Sequence, residues 1–291
     1  MHTASFEYHR AGSIDEALAL LTAHGDDAKL LAGGHSLIPV MKLRFARPSH
    51  LIDIRKVADL TGIRTADGML VVGAATTHAR IERSEIVRGL RPVLAETAAL
   101  IGDPQIRNMG TIGGSLAHAD PAADFPAVML ALGAELRAVG PEGERTIPAD
   151  EFFQGLMMTS LGPTEILKEV RIPLPGPRTG EAYAKHPHPA SRFAVVGVAA
   201  EVSLDDDGRI AKAMVGITGL DTRARRARAV EDALHGVEVG DAEAIRAAAD
   251  RAPEGLSLQA DRQGPIEYKE QLARTYTRRA VERALERASA E

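Results

Sequence analysis

The chain has 291 residues, 45% of them hydrophobic, which is enough for two domains of ordinary size with buried cores. Its formal net charge of −5 provides no basic field for nucleic acid or an anionic membrane, and no apolar run reaches the roughly 20 residues that span a bilayer. Cysteine is absent, which excludes disulfides and any cysteine-ligated zinc site or iron–sulfur cluster on this chain.

In chain order, the segment from Met1 to Phe6 has no basic stretch followed by an apolar one, so a cytoplasmic protein is expected. Ser13-Ile-Asp-Glu16 is a capping box, and Ile14, Ala17, Leu18 and Leu21 share a helical face before Gly25 ends the helix. Ala28 to Leu31 forms a short strand, the loop from Ala32 to Ser36 follows, and Leu51 to Ile54 is a second strand of a small α/β subdomain. Met69 to Val72 is a strand after the turn Ala66-Asp67-Gly68, Thr77 opens a short helix, and Pro92 to Ile101 is helical with Pro92 in its first turn. Pro126 to Leu132 is an apolar helical run. Ala134 to Val139 pairs with Glu144 to Ile147 across Gly140-Pro-Glu-Gly143, and Ile166 to Ile172 is another strand. The proline- and glycine-dense segment from Pro173 to Gly180 marks a domain boundary. Beyond it, Phe193 to Leu204 and Ile210 to Leu220 are strands joined by Asp205-Asp-Asp-Gly208, and helices are expected near Arg223 to His235, Asp241 to Arg251 and Pro265 to Ala288. This order of elements gives an α+β protein.

Two glycine pairs carry the chemistry. Gly33-Gly34 follows the first strand, and Gly113-Gly114 stands in Thr111-Ile-Gly-Gly-Ser115. Adjacent glycines allow positive φ and leave N–H groups uncovered by any Cβ, which suits close approach to phosphate. One such pair is usually an ordinary turn; two together suit a ligand with two phosphates. Asp124, at the start of a helix, either caps its N–H groups or accepts from ligand hydroxyls. The dinucleotide fingerprint G-x-G-x-x-G and the phosphate loop G-x-x-x-x-G-K-[ST] are both missing, so a Rossmann domain is not supported. Neither His118, Asp120 and Asp124 nor His186 and His188 have a spacing specific to any metal, and His35-Ser36 lacks a nucleophile elbow. The basic run from Arg223 to Arg228 is read as the solvated face of a helix.

The segments from Ala32 to Arg44 and from Arg107 to Ala127, supported by Glu165 to Pro173, Tyr183 to Lys185 and Ser191 to Ala200, resemble the FAD-binding medium subunits of molybdenum hydroxylases, of the carbon monoxide dehydrogenase and xanthine dehydrogenase type. The resemblance covers nearly the whole chain. It implies an FAD-binding fold of the PCMH type, shared with vanillyl-alcohol oxidase: residues 1–175 bind FAD, in subdomains 1–57 and 58–175, and residues 176–291 form an α+β C-terminal domain with a small antiparallel sheet. By that likeness Ala32, Gly33, Gly34, His35, Ser36 and Leu37, with Thr111, Ile112, Gly113, Gly114 and Ser115, hold the FAD pyrophosphate. Asp124, Ile101, Leu167 and Lys185 take further cofactor-contacting positions, Lys185 bringing positive charge near the pyrimidine end of the flavin. No catalytic side chain and no metal ligand is implied. The implied partners are a small subunit with two 2Fe-2S clusters and a large subunit with the molybdenum–pterin cofactor, assembled as a dimer of heterotrimers in which FAD passes electrons to an external acceptor. A free-standing flavin oxidase is the alternative, and it would need an acid or base poised over the flavin.

Overall fold

The computed structural model describes residues 2–290. Near the N-terminus, β1 (Glu7–Arg10), β2 (Ala28–Leu31) and β3 (His50–Asp53) form a parallel sheet in the order β1-β3-β2. Helix α1 (Ile14–His24) starts where the capping box places it: Ser13 Oγ accepts from the Glu16 N–H, and the Glu16 carboxylate reaches back to the Gly12 N–H at 2.7 Å. Its apolar face, Ile14, Ala17 and Leu21, joins Ile52 and Ile54 in one core. The glycine loop after β2 runs straight into α2 (Leu37–Lys42).

The second sheet is antiparallel. It contains β4 (Ile63–Ala66), β5 (Met69–Gly73), β6 (Glu135–Gly140) and β7 (Gly143–Pro148). A ribbon of β8 (Phe153–Gly155) and β9 (Met158–Thr159) then leads to β10 (Ile166–Pro173), which inserts at the centre to give the order β4-β5-β10-β6-β7. Six helices separate β5 from β6: α3 (His78–Arg83), α4 (Glu85–Leu90), α5 (Pro92–Leu100), α6 (Pro104–Met109), α7 (Ile112–His118) and α8 (Asp124–Ala131). A short α9 (Ala149–Phe152) follows β7. All of α8 is buried, as expected for a helix that is apolar nearly all round, and Pro126 is tolerated because it sits in the first turn.

The third sheet, β11 (Thr179–Pro187), β12 (Ala194–Leu204), β13 (Ile210–Thr218) and β14 (Arg225–Arg226), is antiparallel in sequence order. Helices α10 (Arg228–Leu234), α11 (Ala242–Ala249) and α12 (Ile266–Ala288) follow, and α12 packs across β11 and β12 while α8 packs on β12 and β13. The expected helix from Arg223 is corrected here. Arg225 and Arg226 form the edge strand, Arg225 pairs with Asp221, and Arg226 donates to Glu231 Oε2 at 2.7 Å, so the run folds back on acidic partners and the helix begins only at Arg228. No helix of the described residues is long and apolar enough to cross a membrane.

Arg91, 1% exposed at the start of α5, ties the second and third sheets together. Its guanidinium donates to Glu181 on β11 at 2.7 Å, to Glu201 on β12 and to the Pro173 carbonyl at the end of β10. The other Glu181 oxygen accepts from the Val93 N–H at 3.0 Å. Burial pushes the Glu181 carboxyl up, and Arg91 is what opposes that shift. Replacing Arg91 with Leu strands two carboxylates in the interior, and the expected loss is about 3–5 kcal/mol in urea unfolding. A loss below about 1 kcal/mol would show that the carboxylates simply take up protons and that the network is not what joins the sheets.

Candidate functional site

A cavity of about 540 Å³ opens where the three sheets meet. That size is ordinary for a small-molecule or cofactor site. Its walls come from the loop 32–37, the junction of α6 and α7, Ile101-Gly102, the stretch 159–167 and the residues Ser191, Arg192 and Phe193 just ahead of β12.

The first glycine pair is built for close approach. Gly34 has φ 76°, and a Cβ on Gly33 would lie 2.4 Å from the Met109 carbonyl oxygen and 2.7 Å from Gly110 Cα, so the loop rests backbone to backbone on the α6–α7 junction. The backbone N–H groups of residues 33–37 have no acceptor among the described residues. A run of free donors beside glycines is a nest for an anion.

The second pair works differently from its expectation. Gly113 and Gly114 lie in the first turn of α7 and are not in the positive-φ region. Their N–H groups already have acceptors: Gly113 donates to the Ala74 carbonyl at 2.8 Å and Gly114 to Thr111 Oγ1 at 3.1 Å, while Ile112 and Ser115 donate to the Thr76 and Thr111 carbonyls. What the missing side chain allows at Gly113 is packing, since a Cβ there would lie 2.4 Å from Ala74 Cβ. This segment adds the hydroxyl residues Thr111 and Ser115 to the cavity wall, whereas Ile112 is fully buried in the core.

Asp124 stands at the helix start as expected, but the capping alternative drops out, because Ala123 is the N-cap of α8 and Asp124 is its first residue. The carboxylate lines the cavity yet is only 4% exposed. It accepts from the Tyr183 hydroxyl at 2.6 Å and from the Lys185 ammonium at 2.8 Å, and Lys185 also donates to the Leu100 carbonyl at 3.1 Å. Gly197, opposite Lys185 on β12, makes room for this arrangement, since a Cβ there would lie 2.1 Å from the Tyr183 oxygen. Burial pushes the Asp124 carboxyl up while Lys185 and Tyr183 hold it down; burial and the Asp124 charge push the Tyr183 phenol well up, so it stays protonated and donates. Lys185 is absent from the cavity wall and its charge is matched by Asp124. Ile101 and Leu167 do line the cavity.

Two residues of this region escape the sequence reading. Tyr183 was within reach, because strand alternation puts it on the same face as Lys185. His78 had no signal beyond following the helix-opening Thr77. It is 4% exposed on the cavity wall, stacks on Phe125 with ring centroids 5.5 Å apart, and its Nδ1 has no partner. Burial, reinforced by the nearby Arg107 and His35 charges, holds its pKa at about 4. A histidine whose folded pKa is depressed contributes its full stability above the ordinary value of 6.5 and loses it as pH falls from there toward 4. The expected loss is roughly 3 kcal/mol across that window. Urea unfolding at pH 7 and pH 4.5 should show this loss in the wild type and a much smaller one in His78→Phe; equal losses would place the acid sensitivity elsewhere.

Comparison with known proteins agrees with this geometry from end to end. Residues 4–175 match the family model described as FAD binding domain in molybdopterin dehydrogenase, and residues 181–284 match CO dehydrogenase flavoprotein C-terminal domain. The chain is 41% identical to the carbon monoxide dehydrogenase medium chain of Afipia carboxidovorans, over 99% of both chains. It superimposes on a chain of the carbon monoxide dehydrogenase from Hydrogenophaga pseudoflava with TM-score 0.95 at 44% identity, covering 99% of each. For a chain of quinoline 2-oxidoreductase from Pseudomonas putida 86 the TM-score is 0.92 at 33% identity, again over 99% of each. A free nest of backbone donors in a cavity between α+β sheets, in a chain matched over its length by these proteins, is explained by descent: this chain belongs to the family of FAD-binding medium subunits of molybdenum hydroxylases, oxidoreductase subunits related to carbon monoxide dehydrogenase.

Proposed function

We propose that this chain is the electron-transfer subunit of a cytoplasmic molybdenum hydroxylase, taking electrons from 2Fe-2S clusters on a small partner subunit and passing them to an external acceptor. A large partner subunit with the molybdenum–pterin cofactor oxidises the substrate, and the whole is a dimer of heterotrimers. Residues 1–175, in subdomains 1–57 and 58–175, hold FAD; residues 176–291 form the C-terminal domain that closes the cavity. The observation that carries this reading is the run of unpaired N–H groups at 33–37 facing a cavity of cofactor size in a chain with no cysteine of its own.

The residues present fit the cofactor. The N–H groups of 33–37 would take the pyrophosphate oxygens, with Thr111 and Ser115 adding hydroxyls; Ile101 and Leu167 supply apolar wall. Asp124, held by Tyr183 and Lys185, keeps lone pairs for a ligand hydroxyl, since a carboxylate accepts up to about four hydrogen bonds. Bound FAD supplies the redox chemistry, and the chain supplies its position and surroundings. Relatives named for carbon monoxide, 6-hydroxypseudooxynicotine and caffeine are 34–41% identical to this chain over 99% of its length, which fits a subunit that does not choose the substrate.

Gly33→Ala tests the binding assignment. The new methyl would overlap the Met109 carbonyl and must push the loop away, so flavin content should fall at least about tenfold, or about 1.4 kcal/mol, while far-ultraviolet circular dichroism stays near wild type. Wild-type flavin content in a folded Gly33→Ala protein would show that the loop does not hold the cofactor.

Co-expression with the small iron–sulfur and large molybdenum subunits that this reading implies tests the role. The complex should contain FAD, iron and molybdenum, and its substrate should bleach the flavin band. The FAD-loaded chain alone should show no such bleaching. Turnover of an organic substrate by the chain alone, at the roughly 1 to 1,000 per second usual for enzymes, would make it a free-standing oxidase.

A further inference from the structure

Away from the cavity, on the N-terminal sheet, three histidines from three different elements meet. Strand alternation makes the convergence possible. Glu7 pairs with His50 and His9 with Ile52 in the parallel register, so Glu7, His9, His50 and Ile52 share one face, the one whose Ile52 packs with α1. His24 is the last residue of α1 and is therefore delivered to the same end of that face.

One ligand nitrogen from each of His9, His24 and His50 lies within 4.8 Å of the others. The His24 and His50 rings stack with centroids 3.7 Å apart, and His9 Nε2 faces His50 Nδ1 at 3.0 Å. Two facing ring nitrogens at that distance share one proton, which is the position a metal ion takes over. The Glu7 carboxylate stands 3.6 Å from His50 Nδ1 and 4.0 Å from His9 Nε2. Donors around a tetrahedral zinc at 2.0–2.1 Å are about 3.3 Å apart, so closing the set requires the partly exposed side chains to rotate, the stacked His24 and His50 rings turning until their lone pairs converge.

We propose that His9, His24 and His50, with Glu7 as the oxygen ligand, form a binding site for a divalent transition-metal cation, zinc in the first instance. Three imidazoles and one carboxylate are a zinc-type donor set, softer than a magnesium or calcium site and free of the thiolates this chain lacks. The cation would staple β1, the C-terminal end of α1 and β3 together. The C-terminal end of α1 favours positive charge, which adds to the attraction. Positions 9, 24 and 50 match no short metal motif, which is why the sequence alone does not reveal the site.

The test uses the full chain, free of any histidine tag and stripped with chelator, titrated with zinc chloride in equilibrium dialysis and followed by thermal unfolding. One zinc should bind per chain and raise the melting temperature, as any ligand selective for the folded state does. Each of His9→Asn, His24→Gln and His50→Asn should weaken binding at least about tenfold, and Glu7→Gln should weaken it less. His24→Gln, at a helix end, is the variant least able to disturb folding, and circular dichroism confirms the fold of each. If the wild type binds no zinc, or if the folded triple variant binds one zinc as tightly as the wild type, the proposal is overturned.

Discussion

Five consecutive peptide N–H groups, residues 33–37, have no acceptor within the described residues. These donors sit on partly exposed residues along the cavity wall, so the fold leaves them open to water or to an anion bound there. The loop can present them only because its other side is already committed: Gly33 presses on the Met109 carbonyl and Gly110, and the α6–α7 junction is itself pinned to the end of β5 by Ile112 and Gly113 donating to the Thr76 and Ala74 carbonyls. Thus the N-terminal sheet and the second sheet meet at the nest, and a side chain at Gly33 would part them.

The third sheet reaches the same cavity through a single buried knot. Desolvating the Asp124–Lys185 pair costs several kcal/mol, and such a pair contributes little net stability over an apolar substitute. Its geometric consequence is larger. It fixes the first turn of α8 to β11, and β11 carries its partner β12, whose leading residues Ser191 to Phe193 form one edge of the cavity mouth. Arg91 performs the same joining further along, so the C-terminal half is attached by two buried charged clusters as well as by apolar packing.

Most of the fold was legible because its signals are local. The Ser13 capping box, the Thr77 helix start, Pro92 in a first turn and the Gly140–Gly143 hairpin each depend on a few neighbouring residues and hold in the structure. The run from Arg223 to Arg228 failed because its outcome depends on Asp221 and Glu231 and on an edge position beside β13, which no local period records. At the site, two glycine pairs that look alike in sequence divide: one exposes its N–H groups and the other spends them on Ala74 and Thr111. Resemblance brought Lys185 into the set, and the folded chain adds that its ammonium pairs with Asp124 on the cavity wall. His78 was invisible because its meaning comes entirely from burial.

Burial also decides what kind of chemistry this chain can add. A general acid or base is most effective when its pKa lies near the working pH. Of the two buried titratable groups on the cavity wall, His78 is kept neutral with a pKa of about 4, and Asp124 is bound to a phenol and an ammonium. His78 therefore stays uncharged near neutrality, while the Asp124 carboxyl, which burial pushes up, is engaged by donors of this chain. A site of this kind suits a cofactor that exchanges electrons and needs a fixed electrostatic surrounding, and it suits poorly a cofactor that must deprotonate a substrate on this chain. The glycine loop offers main-chain donors on one side of the cavity, and Ile101 and Leu167 give it an apolar wall on another.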